Sequence, residues 1–154
     1  MTHQTLHRPE TAPSNRARRT VVAYGLGALA TLAGLGLVLS DQLVLGGLDR
    51  HLHALYDPVG KYGEAAPLYG YLYGVGVLGL LCWWANLRLI RRHAATARRW
   101  GWITLAAAAL PVLVPLMLRE YGQPVIPLSL AAGYAAAWLC GLVGLVAGRP
   151  RPAA

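Results

Sequence analysis

Four long apolar runs alternate with shorter polar connections along the chain, at 21–39, 67–87, 100–118 and 124–147, and none of the four contains a charged residue. As a helix rising 1.5 Å per residue, the first reaches about 28 Å, close to the hydrocarbon thickness of a bilayer. A signal peptide is the rival reading of that run, because Arg16, Arg18 and Arg19 precede it and Val38-Leu39-Ser40 follows as a site that could be cut. Signal cores are shorter, about 7–15 residues, so the run reads as a retained span. The pattern predicts an all-α membrane protein: a bundle of four transmembrane helices over 20–148, between a polar tail at 1–19 and a short tail at 149–154.

The longest internal polar segment, 40–66, has its own periodicity. Leu45, Leu48, Leu52 and Leu55 recur at spacings of three and four. That puts them on one side of a short amphipathic helix lying on the bilayer surface. Asp57-Pro58 and Gly60 then stop the helix. The second span opens at Pro67, which a first helical turn tolerates. The third contains Pro111 and Pro115, each of which removes a backbone donor, so a kink or an unwound half is expected there. Residues 119–123 read as a tight turn. The tail 1–19 lacks apolar periodicity and reads as disordered, and His3 and His7 in it read as solvated.

Composition agrees with lipid contact. Of 154 residues, 56% are hydrophobic and only 13% charged, about half the charged share of a soluble domain. The net charge of +8 raises the question of nucleic acid. The basic residues flank apolar runs and are not interleaved with aromatics on a polar face, which argues against it. Of the fourteen Lys and Arg, all except Arg50, Lys61 and Arg119 lie in the two tails and the connection 88–99. By the positive-inside rule both termini are cytoplasmic, and the amphipathic helix lies in the first extracytoplasmic loop. The predominance of Arg, with abundant Ala, Gly and Leu and no Phe, reads as a GC-rich bacterial source and hence a bacterial cytoplasmic membrane.

Three groups of residues are candidates for function. In the first outer loop, Asp49, His53 and Asp57 share one face of a helix at four-residue spacing, and His51 points elsewhere. Histidines with carboxylates suit a divalent metal or a proton-responsive patch, and equally the polar face of an interfacial helix. In the second span, Tyr69 and Tyr73 flank the GxxxG pair Gly70 and Gly74. This reads as a hydroxyl-lined wall for a lipid-like ligand or as helix packing. Gly133, Ala137 and Gly141 in the fourth span and Ala23, Gly27 and Thr31 in the first make similar stripes. The third group is the second outer turn, where Glu120 stands with Arg119 and Gln123.

Absences weigh as much. No ionisable residue lies in the middle of a span, which counts against an ion or proton pathway. No histidine lies in a span to ligate haem, and no CxxC, GxSxG, HExxH or P-loop pattern occurs. Cys82 and Cys140, both in apolar runs, read as small packing residues. Two readings of function follow. The first is a non-enzymatic accessory or interaction subunit that meets lipid and, through its small-residue faces, a second copy or another membrane protein. The second is an outer-leaflet ligand- or metal-binding protein or enzyme built on Asp49, His53, Asp57 and Glu120, with the tyrosines as its wall. The sequence names no cofactor.

Overall fold

The computed structural model describes residues 15–92 and 94–147. Five α-helices carry the chain: α1 Asn15–Ser40, α2 Gly47–Tyr56, α3 Ala65–Arg92, α4 Ala94–Met117 and α5 Leu128–Ala147. Four stretches, Arg18–Leu45, Ala65–Arg92, Thr96–Met117 and Leu128–Ala147, are long and apolar enough to cross a membrane. The burial pattern separates this bundle from a water-soluble one. In the most apolar window of α4 only 17% of residues are buried, and Leu29, Leu78, Leu110 and Leu128 all stand more than 60% exposed. So much uncovered apolar surface needs a hydrocarbon solvent. The protein is a multi-pass membrane protein.

The four long helices form a ring in which α1 packs on α5 and α3, and α4 packs on α5 and α3. The closest approach is between α1 and α5, where a Cβ built on Gly133 would lie 3.0 Å from the Cα of Gly34. Ala137 is buried one turn further on. Gly141 works differently, because its missing side chain, with that of Gly27 in α1, leaves a slot for the Trp83 ring from α3. The Trp83 indole N–H donates to Thr31 Oγ1 at 3.0 Å, and Thr31 in turn donates to the Gly27 carbonyl. At Gly27 and Thr31 the α1 stripe therefore admits an aromatic side chain, while Ala23 meets the Gly144 position of α5.

Several boundaries differ from those read in the sequence. Helix α1 starts at Asn15, inside the segment expected to be disordered, because Arg16 to Arg19 are fair helix formers that run straight into the apolar stretch. Residues 1–14, with His3 and His7, lie outside the described residues. The last span starts at Leu128 and not at 124, since Gln123–Pro124 pairs with Arg119–Glu120 as a two-stranded antiparallel ribbon, β2 on β1. The α5 helix then begins after Pro127, whose carbonyl takes the N–H of Leu130 at 3.0 Å.

Of the two outcomes expected for the third span, a kink or an unwound half, the unwinding does not occur; α4 is helical through both prolines to Met117. Pro115 has no N–H for the carbonyl of Pro111 four residues earlier, and the Tyr71 hydroxyl from α3 donates to that carbonyl instead. Within lipid an orphan carbonyl is costly, so a neighbouring hydroxyl keeps the helix intact. Tyr71→Phe is therefore expected to destabilise the protein by about 1 kcal/mol. In a Pro115→Ala background, where the backbone N–H is restored, the same change should cost much less. A double-mutant cycle of unfolding in mixed micelles measures the coupling, and additivity of the two changes would contradict this account.

Candidate functional site

The polar groups gather at the α2 end of the bundle, and their arrangement starts from one residue. After Ser40 the helix widens into a single π turn, Asp41–Leu45, closed by Gly46 in the left-handed region (φ 57°) with its N–H 2.6 Å from the Asp41 carbonyl. The reversal aims the Asp41 carboxylate at the start of α2. There Oδ1 accepts the N–H of Gly47 at 2.9 Å, and Oδ2 accepts the N–H of Leu48 at 2.9 Å and the Tyr69 hydroxyl at 2.8 Å. Two helix-terminal donors are thus satisfied by an acidic side chain, which also complements the helix dipole. Gly47 is required by this proximity, as a Cβ there would stand 2.5 Å from Asp41 Oδ1. Asp41 is only 6% exposed.

Capped in this way, α2 folds onto the end of the bundle. Leu48 and Leu52 are essentially fully buried and pack with Val38, Leu72, Ile126 and Tyr134. Leu55 is buried as well, whereas Leu45 is 58% exposed, because the π turn and Gly46 rotate it off the shared face. The leucine face expected to rest on a bilayer surface is therefore inserted into protein.

The sequence-predicted residues are distributed around this helix. His51 Nε2 donates to the Pro124 carbonyl at 2.7 Å, tying α2 to the β ribbon. His53 lies between Asp57 at 3.3 Å and Asp49 at 3.8 Å, with all three side chains more than half exposed. Exposed pairs of this kind contribute little to stability. Tyr56 donates to Glu120 in β1 through a short hydrogen bond. That bond, with some burial, pushes the Tyr56 phenol up to about 12 and keeps it protonated. Tyr73 donates to Gln42 Oε1 at 2.7 Å. An outer ligand pocket needs His53 grouped with Glu120 and Tyr69, and each of the three has other hydrogen-bond or ion-pair partners. Glu120 is bonded by Tyr56 and Asp41 by Tyr69, while the contacts of His53 are with Asp49 and Asp57. Among the described residues no group of three or more His, Cys, Asp or Glu side chains is placed to hold a metal ion.

The ribbon is pinned by aromatic contacts. Tyr121 has a positive φ of 51°, followed by Gly122 at 84°, the pair of left-handed residues that a tight two-residue hairpin requires. A tyrosine there is strained. Its ring stacks edge-on to Tyr56 at 6.0 Å, and the Lys61 ammonium sits 5.7 Å from the ring centroid.

The chemistry of this end is that of a clasp: carboxylates, phenols and one imidazole bond to partners within the chain and hold α2, the ribbon and the long helices in register. Asp41, the residue on which it depends, is absent from the sequence-derived set. The signal was present in the order Ser40-Asp41 followed by Gly46-Gly47 and an apolar-periodic stretch, a helix start whose capping carboxylate sits a π turn upstream.

On the lipid-facing side of α3, Gly70 and Gly74 are exposed, and a Cβ on either would meet nothing within 4 Å among the described residues. They do not pack α3 against the rest of the bundle. No family model, no curated protein and no solved structure matches the chain.

Proposed function

We propose that this protein is a non-catalytic subunit of a bacterial cytoplasmic membrane, with both termini in the cytoplasm, that associates with a second membrane-embedded helix through the Gly70–Gly74 face of α3. One observation carries the reading: for two glycines four residues apart inside an apolar helix, an added Cβ would meet nothing within 4 Å among the described residues. Each costs about 1 kcal/mol of helix propensity relative to alanine, and no contact within the bundle accounts for that cost. A groove of this shape is what a second helix uses for close approach in lipid. Gly25 and Gly36 of α1 are open too, but neither has a glycine partner four residues away on its own face.

The orientation rests on the position of the basic residues, since the ends of α3 and α4 that carry Arg88, Arg91, Arg92, Arg98 and Arg99 lie opposite the clasp. Arg88 stacks over Trp84 with 4.4 Å to the ring centroid, as a boundary anchor does. The self-satisfied polar groups of the clasp support a structural role for that end over a ligand-binding one.

Replacing both Gly70 and Gly74 by leucine fills the groove without touching the chain's own packing. The expected outcome on a native gel of gently solubilised membranes is loss of the higher-mass species, with the protomer still folded. A wild-type migration pattern from the double variant would remove the basis of the reading.

A further inference from the structure

The uncovered apolar stripes of α1, α3 and α4 each end on arginine, at the end of the bundle opposite the clasp. On α1, Val22, Leu26 and Leu29 are more than half exposed, and the exposed Arg18 stands one turn before Val22. On α3, Leu78, Leu81 and Ala85 are exposed and lead, at alternating steps of three and four, to Arg88 and Arg92, which are exposed too. On α4, the exposed Leu110, Ala106 and Ile103 lead back in the same way to the exposed Arg99. Residues at such steps lie along one side of a helix. The arginines therefore continue the surfaces that meet hydrocarbon, and just past the hydrocarbon those surfaces meet phospholipid headgroups.

Height and charge agree. The Asn86 amide donates to Thr104 Oγ1 at 3.3 Å across α3 and α4, so the two positions are level. At 1.5 Å per residue, Arg92 lies about 9 Å and Arg99 about 7.5 Å further toward the joined ends of the two helices, at nearly one level. Trp84 and Trp100, each about half exposed, stand beside them, where indoles mark the boundary of a bilayer. The Arg88 guanidinium rests on the Trp84 ring, a face contact that uses none of its N–H donors and leaves their fork for a phosphate. Among the described residues the ion pairs are those of His53, so no carboxylate neutralises these arginines. The described carboxylates, Asp41, Asp49, Asp57, Glu64 and Glu120, all lie toward the clasp end.

We infer that Arg18, Arg88, Arg92 and Arg99 form a binding surface for the phosphates of anionic phospholipids, a collar that draws those lipids out of a mixed bilayer to this end of the protein. Arginine clusters immediately beside a span attract anionic headgroups. An acidic soluble partner is the lesser fit, because the arginines stand on the lipid-facing stripes. The collar begins about 21 Å along α3 from Gly74. It holds for either orientation of the chain and does not rest on the association proposed at Gly70 and Gly74.

The test reconstitutes the full chain in phosphatidylcholine bilayers and adds phosphatidylglycerol or phosphatidylcholine with dibrominated acyl chains. Bromine quenches indole fluorescence at contact, and the exposed Trp84 and Trp100 report on the collar. Both leaflets carry the same lipids, so the result does not depend on which way the protein inserts. Brominated phosphatidylglycerol is expected to bind there about fivefold more tightly than brominated phosphatidylcholine, the factor one arginine at a membrane surface supplies, and salt should reduce the preference. The triple variant Arg88→Gln, Arg92→Gln, Arg99→Gln should bring the two lipids level. A second triple, Arg19→Gln, Arg91→Gln, Arg98→Gln, removes the same charge from positions roughly 60° or more round their helices from the stripes. It should keep most of the preference. Equal quenching by the two lipids in the wild type would overturn the inference and leave the arginines to water or to an acidic soluble partner. Equal losses in the two triple variants would overturn it as well, since diffuse charge and not the stripes would then govern.

Discussion

Asp41→Ala is expected to destabilise the protein by about 3 kcal/mol, a large effect for one residue near the end of a span. The substitution leaves two backbone N–H groups at the start of α2 and the Tyr69 hydroxyl without their acceptor. It also removes a carboxylate from a helix N-terminus, where loss of a cap alone costs about 1 kcal/mol. Asp41→Asn keeps one acceptor oxygen but turns an NH₂ toward a backbone donor, and should lose roughly half as much. Tyr69→Phe should cost about 1 kcal/mol and less in the Asp41→Ala background, because the two share one hydrogen bond. Hydrogen exchange locates the damage. The amides of α2 should exchange faster in Asp41→Ala, while those of the α1–α5 contact keep their protection. Uniform loss of protection along all helices would show that Asp41 does not act through α2.

Gly133→Leu should be at least as damaging, about 3 kcal/mol or more, and for the opposite reason. Here a side chain is added where none fits. The atoms it meets are the backbone of Gly34, which cannot rotate away as a flexible side chain can. Helices α1 and α5 must separate, and the packing around Tyr134 and Leu130 opens with them. Gly70→Leu makes the same chemical change in a helix of the same kind, yet its new side chain meets open space. Gained helix propensity should then leave the isolated protomer unchanged or more stable by up to about 1 kcal/mol. Unfolding of both variants in mixed micelles gives the comparison. Equal losses would show that glycine content, and not the geometry of approach, governs these helices.

The contrast shows what the sequence could convey. Spacing finds glycines that share a face, and it found Gly70, Gly74, Gly133 and Gly141 alike, but it does not say what stands opposite. One pair faces no protein, one position meets a backbone and one receives a tryptophan ring. The four apolar runs were legible because hydropathy over some twenty residues depends little on context. The amphipathic helix was legible from its leucines, but its docking was not. Whether Leu48 and Leu52 meet lipid or protein depends on the π turn and on Gly46, a reversal set by a carboxylate bonding to residues six and seven positions on. Asp41 itself was hidden by its place at the edge of an apolar run, where a charge reads as the end of a span. His51 and His53 were visible as a cluster by type. Their geometry divides them, one to the ribbon and one to its own helix face.

The association of α3 with another polypeptide is tested most directly by photocrosslinking in intact membranes. A benzophenone amino acid is placed at Gly74 in one variant and at Leu29 of α1 or Val143 of α5 in others, two positions that are also lipid-exposed. A discrete polypeptide adduct is expected from position 74 and none from positions 29 and 143. Adducts with lipid alone at all three positions would contradict it.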